Sequence, residues 1–137
     1  MVCDSDLERG DSVQVLVVDD SLTIRQQAKS ILEREGFSVV PAGNGKEALE
    51  QLSKNPGVAL VLLDLHMPVM SGFEFLKEHH NKARGHIPVY ILTMDATDES
   101  IEQAQRHGAR GYMVKPFVPQ DLLAMVRRAT EPVRKSA

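Results

Sequence analysis

Apolar and polar positions alternate along the chain with two different periods. Val13 to Val18, Val58 to Leu63, Val89 to Leu92 and Tyr112 to Val114 are nearly unbroken apolar runs, as expected of inner strands covered by helices on both faces. Between them lie longer stretches in which apolar residues recur every three to four positions, the period of a helix. A shorter run, Phe37 to Val40, leads into Pro41; proline cannot donate a ladder hydrogen bond, so this strand belongs at a sheet edge. Runs and helical stretches alternate five times, the signature of βα units winding a mainly parallel sheet. The expected fold class is therefore α/β: a three-layer αβα, doubly wound sheet of five parallel strands.

The helices are marked unequally. The first should run from about Ser21 to Glu35, with Ile24, Ala28, Ile31 and Leu32 on one face and Gly36 as its stop. The fifth places Leu122, Val126 and Ala129 at helical spacing behind Pro119, with Arg127 and Arg128 late, where the helix dipole favours cations. The fourth, Asp98 to His107, offers only Ile101 and Ala104 as an apolar stripe. It is expected to be the most weakly anchored helix and a candidate for movement. One domain over 13–130 accounts for the pattern, with a flexible leader at 1–12 and a C-terminal tail at 131–137.

Composition narrows the function. The chain has 137 residues, enough for one core that buries roughly 70% of the surface its unfolded form exposes. A net charge of -3 supplies no basic field for phosphate backbones, so direct nucleic-acid binding is not expected. Cys3 is the single cysteine, which excludes an intrachain disulfide and is expected to be an exposed thiol. The leader is acidic without an apolar signal region, and no stretch approaches the roughly eighteen apolar residues of a membrane span. A cytoplasmic protein without membrane attachment is expected.

The chemistry collects at strand ends. Asp19 and Asp20 follow the first run, Asp64 the third, Thr93 the fourth and Lys115 the fifth. Strands of a parallel sheet all point one way, so these side chains must converge on the carboxyl edge, where open α/β folds bind ligands. Three carboxylates in one crevice repel one another unless a cation lies among them. Oxygen ligands without a suitably spaced Cys or His favour Mg²⁺ over softer metals. Lys115 adds a fixed positive charge, and a metal with a lysine around one carboxylate suits a phosphoryl group whose charge spreads over three oxygens.

From Val13 to about Ala129 the chain resembles a CheY-like receiver domain of two-component response regulators. The resemblance rests on Val17-Val18-Asp19-Asp20-Ser21, Asn44-Gly45-Lys46-Glu47-Ala48-Leu49, Asp64-Leu65-His66-Met67-Pro68, Gly72-Phe73-Glu74 and Lys115-Pro116-Phe117, in this order. It implies the flavodoxin-like strand order 2-1-3-4-5 and Asp64 as phosphoacceptor. It also implies Asp20 and Asp64 as direct metal ligands, Asp19 as a ligand through water, and the His66 main-chain carbonyl as a further ligand. Thr93 would bond a phosphoryl oxygen, Tyr112 would turn inward when Thr93 moves, and Lys115 would contact the phosphoryl group and precede a cis proline bond. The implied partners are a histidine kinase or phosphotransfer protein as donor, and a target protein reading the face of the fourth helix, fifth strand and fifth helix. The expected form is a stand-alone regulator, monomeric or weakly dimeric, as in chemotaxis or a phosphorelay; it would be a signalling switch, catalysing only its own phosphoryl transfer and autodephosphorylation. Two residues depart from the commonest family pattern: His66, two positions after the acceptor, and Met94 after Thr93, where a small residue is usual. Met94 is expected to crowd the phosphoryl pocket.

Other readings compete. An isolated aspartate pair after a strand is usually a turn and helix cap, but Asp64, Thr93 and Lys115 at matching strand ends favour the metal site. Gly43-x-Gly45-x-x-Ala48 mimics a dinucleotide fingerprint, yet it follows the second strand and leaves Asp19, Asp20 and Lys115 unused. A metal-dependent hydrolase would need a general acid and substrate pocket that no motif supplies. A receiver that has lost phosphorylation is opposed by the intact set of five residues, and the alternative to a stand-alone regulator is a receiver from a longer protein. His79, His80, His86 and His107 are expected to be solvated.

Overall fold

The computed structural model describes residues 13–80, 87–94 and 97–136, without the side chains of His80 and of 132–136. Cys3, the 1–12 leader and His86 lie outside the described residues. Five strands and five helices alternate: β1 Gln14–Val18, α1 Leu22–Arg34, β2 Ser38–Ala42, α2 Gly45–Lys54, β3 Val58–Leu63, α3 Gly72–His80, β4 Val89–Thr93, α4 Asp98–Arg106, β5 Ala109–Val114 and α5 Pro119–Ser136. All pairings are parallel and the strand order is β2-β1-β3-β4-β5, so the expected fold class and topology are borne out.

The period-2 alternation of each strand divides the core in two. Val15 and Val17 of β1 and Leu60 and Leu62 of β3 pack with Ala28 and Leu32 of α1 and Leu122 and Val126 of α5. Leu16, Val18, Val61 and Leu63 face the other way, against Ala48 and Leu52 of α2, Phe75 and Leu76 of α3 and Ala104 of α4. Each of these buried leucines contributes about 1.5–3 kcal/mol. Two helices therefore cover one face of the sheet and three the other.

Pairing continues one residue beyond the strands. The Asp64 N–H donates to the Val18 carbonyl (2.9 Å), the Asp19 N–H to the Ala42 carbonyl (3.0 Å) and the Lys115 N–H to the Thr93 carbonyl (2.9 Å). Register thus brings the polar strand-end residues level along one edge.

Several expectations change in detail. The Tyr112 to Val114 run is not an inner strand: β5 closes the sheet at its far edge, and Tyr112 and Val114 are 48% and 46% exposed. At the opposite edge, β2 continues through Pro41 to Ala42, which an edge position allows because the missing N–H is not needed in the ladder. Ser21 caps α1, accepting the Ile24 N–H (3.3 Å), and Gly36 ends it with φ 94. In α4 the buried residues are Ile101 and Ala104, as the stripe predicts. Residues 131–136, expected as tail, extend α5, since each residue added to a formed helix gains a hydrogen bond without a new nucleus. Among the described residues no helix is long and apolar enough to cross a membrane.

Candidate functional site

The carboxyl edge carries an open cleft of about 570 Å³ whose lining includes Asp19, Asp20, Asp64, His66, Thr93 and Lys115. One carboxylate oxygen from each of Asp19, Asp20 and Asp64 lies within 4.8 Å of the other two. The Lys115 ammonium bonds Asp19 Oδ2 at 2.7 Å and approaches Asp64 Oδ2 at 3.6 Å. The structure therefore brings together residues drawn from positions 19 to 115, and the Lys115-Pro116 bond is cis.

The three acids are held differently. Asp19 is buried and every polar atom it carries is engaged. Its N–H reaches Ala42, its carbonyl accepts from Arg25 Nη1 (2.5 Å), Oδ1 accepts the Ser21 N–H (2.8 Å) and Oδ2 accepts from Lys115. Asp20 is exposed. Asp64 is buried, and the His66 N–H approaches its Oδ1 at 3.5 Å. Burial is the main influence on Asp64 and pushes its pKa above the ordinary 3.8; Lys115 pulls it down, Asp19 pushes it up, the His66 N–H pulls it down and Asp20 pushes it up. An oxygen-only donor set with this mutual repulsion fits a hard divalent cation.

The loop after Asp64 is pinned at both ends. The Gly72 N–H donates to the Leu65 carbonyl (2.9 Å), and the Met70 carbonyl accepts the Gly45 N–H (3.0 Å). Between them Val69 sits at φ 70, with the Met70 N–H turned back to the Pro68 carbonyl (2.8 Å), a γ-turn. Gly72 has to be glycine, because a Cβ there would meet the Asp64 carbonyl oxygen and lie 2.7 Å from Leu65 Cα.

Residues 15–127 match the family model of the response regulator receiver domain. The chain belongs to that family. It is 35% identical over 123 residues to the two-component response regulator ORR5 of Oryza sativa subsp. japonica, covering 89% of this chain and 92% of that protein. The chemotaxis protein CheY4 of Vibrio cholerae superposes with a TM-score of 0.82 at 36% identity, over 86% of this chain and 98% of that one. A CheX-CheY-BeF3-Mg+2 complex from Borrelia burgdorferi superposes at 0.80 with 27% identity, over 85% of this chain and 87% of that one. This receiver domain is thus a signalling component of two-component systems.

Tyr112 is half exposed on β5, and Thr93 is fully buried at the end of β4. Met94 lines the cleft but is 78% exposed, so it stands at the rim where crowding of the interior was expected. His79 is not solvated: it is buried, stacks on Phe75 (5.4 Å, 9°) and places Nε2 3.0 Å from the Ile87 carbonyl. The i, i+4 spacing from Phe75 was the available signal. His107 is half-buried at the α4 C-cap. The dinucleotide-like glycines have structural duties, since the Gly43 N–H bonds Glu47 Oε1 (2.7 Å) and the Gly45 N–H bonds Met70. Their donors are not available to a pyrophosphate.

Proposed function

We propose that this receiver accepts a phosphoryl group on Asp64 from the phosphohistidine of a histidine kinase or phosphotransfer protein. The observation that carries this reading is the Lys115 ammonium seated between Asp19 and Asp64, inside a three-carboxylate cluster. An Asp64 carboxylate oxygen attacks phosphorus in line; the P–N bond to the donor imidazole breaks and its electron pair returns to the ring. Asp20, Asp64 and the His66 carbonyl would hold Mg²⁺ directly, and Asp19 through water. The ion would neutralise phosphoryl charge when bound. Lys115 keeps Asp19 in place beforehand and, released toward the phosphoryl oxygens, balances their charge. Water then hydrolyses the acyl phosphate, which makes the signal self-limiting.

The signal would be read as a change of surface. Thr93 hydrogen-bonds a phosphoryl oxygen, Tyr112 turns inward from its exposed position, and α4 and β5 shift for a target protein docking on the α4-β5-α5 face. The two-residue buried stripe of α4 supports movement there. The chain's net charge of -3 supports a protein target over nucleic acid. The test is incubation with Mg²⁺ and a small phosphodonor, followed by intact mass. One added phosphate is expected on the unaltered protein, only with metal, and none on Asp64→Asn; equal labelling of both would reject Asp64 as acceptor.

A further inference from the structure

The exposed carboxylate of Asp20 accepts no hydrogen bond among the described residues, so its position depends on its main chain. That main chain is tied by the Asp19 N–H to Ala42 and the Ser21 N–H to Asp19, and also by a residue no motif singles out. Arg25, one turn into α1, donates from Nη1 to the Asp19 carbonyl at 2.5 Å, and this carbonyl belongs to the peptide that joins Asp19 to Asp20. Among the described residues Arg25 makes no ion pair with a carboxylate. Its guanidinium lies beside Gly43, where an added Cβ would sit 3.4 Å from Nη1. A charge-assisted bond to a carbonyl, made from a confined slot, holds a peptide plane firmly.

We propose that Arg25 is a positioning residue of the cation site: by clamping the Asp19–Asp20 peptide it aims the Asp20 carboxylate at the space shared with Asp64. This rests on the metal-binding reading above. The sign of the effect distinguishes positioning from plain charge. A guanidinium near the acids repels Mg²⁺, so removing its charge alone would strengthen metal binding. Loss of positioning would weaken it, as loss of an outer-shell partner does, by about tenfold or more.

The experiment is a Mg²⁺ titration of ¹⁵N-labelled protein, followed through amide shifts near Asp20 and His66, with thermal unfolding in parallel. Arg25→Met, which keeps an apolar stem and removes the donors, should bind Mg²⁺ about tenfold more weakly. Arg25→Lys, which retains a charged donor, should lose clearly less. Both should unfold within about 4 °C of the unaltered protein, the shift of a surface-sized change. Unchanged or tighter binding by Arg25→Met, or a Lys variant as weak as the Met variant, would overturn the inference and leave the metal reading standing. If the unaltered protein itself fails to bind Mg²⁺, the metal reading falls and this inference with it.

Discussion

The β1–β3 half of the sheet and the β4–β5 half supply the same cleft but are built to different standards. Val15 to Val18 and Leu60 to Leu63 are at most 1% exposed, and the acid that follows β1 has all its polar atoms bonded. On the other side, β5 buries only Ala109 and then alternates half-buried with exposed positions, and α4 buries two residues. The acids therefore stand on a stiff platform, while Lys115 follows a strand with one side open to solvent. Segments with few buried apolar contacts open at the lowest free-energy cost. The Lys115–Asp19 ion pair joins the two halves, and a phosphoryl group would compete for that lysine. Under the proposed function, binding chemistry and mechanical response would thus be separated within one layer.

Truncating side chains separates the two halves most directly. Leu62→Ala in β3 should cost about 3 kcal/mol and Val114→Ala in β5 about 0.5 kcal/mol or less, read from urea midpoints; equal costs would remove the distinction. Gly72→Ala comes next. It drives a methyl group into the Asp64 carbonyl and should cost about 2 kcal/mol, with the amide shifts of Asp64 and Leu65 displaced; a variant as stable as the parent would mean the loop yields freely.

A smaller effect follows from the raised pKa of Asp64. Between 3.8 and that raised value the folded state binds the extra proton, so stability falls as pH climbs through the window, and ionised Asp64 lowers stability above it. With metal chelated, Asp64→Asn should therefore melt higher than the parent at pH 7, and the advantage should vanish below pH 3.8. A variant melting lower at pH 7 would show that Lys115 outweighs burial. The smallest effect belongs to the rim. Met94→Ala should leave stability within about 0.5 kcal/mol and speed phosphoryl loss, or uptake from small donors, by roughly twofold, a barrier change of about 0.4 kcal/mol. Unchanged rates for both processes would exclude a gating role for Met94.

Much of this was legible from residue order. Unbroken apolar runs gave β1, β3 and β4, Pro41 marked an edge, and the polar residue closing each run marked the cleft, because parallel strands must align their ends. What the chain concealed depends on distance in space. The open side of β5 is a matter of which strand comes last in the sheet, and no local pattern at Tyr112 or Val114 records that. His79 looked polar and solvated because its burial depends on where α3 meets the start of β4. Arg25 was missed because its partner is a main-chain carbonyl reached across a loop, and side-chain motifs carry no trace of such a bond.

Val69 carries a last consequence. A β-branched residue in the left-handed region costs on the order of 1–3 kcal/mol, and 76% of this side chain faces solvent, so little packing repays it locally. The bend persists because its flanks are tied to α2 and to the end of β3. The turn after Asp64 therefore holds unrelieved strain, which glycine at this position would release without touching any acid.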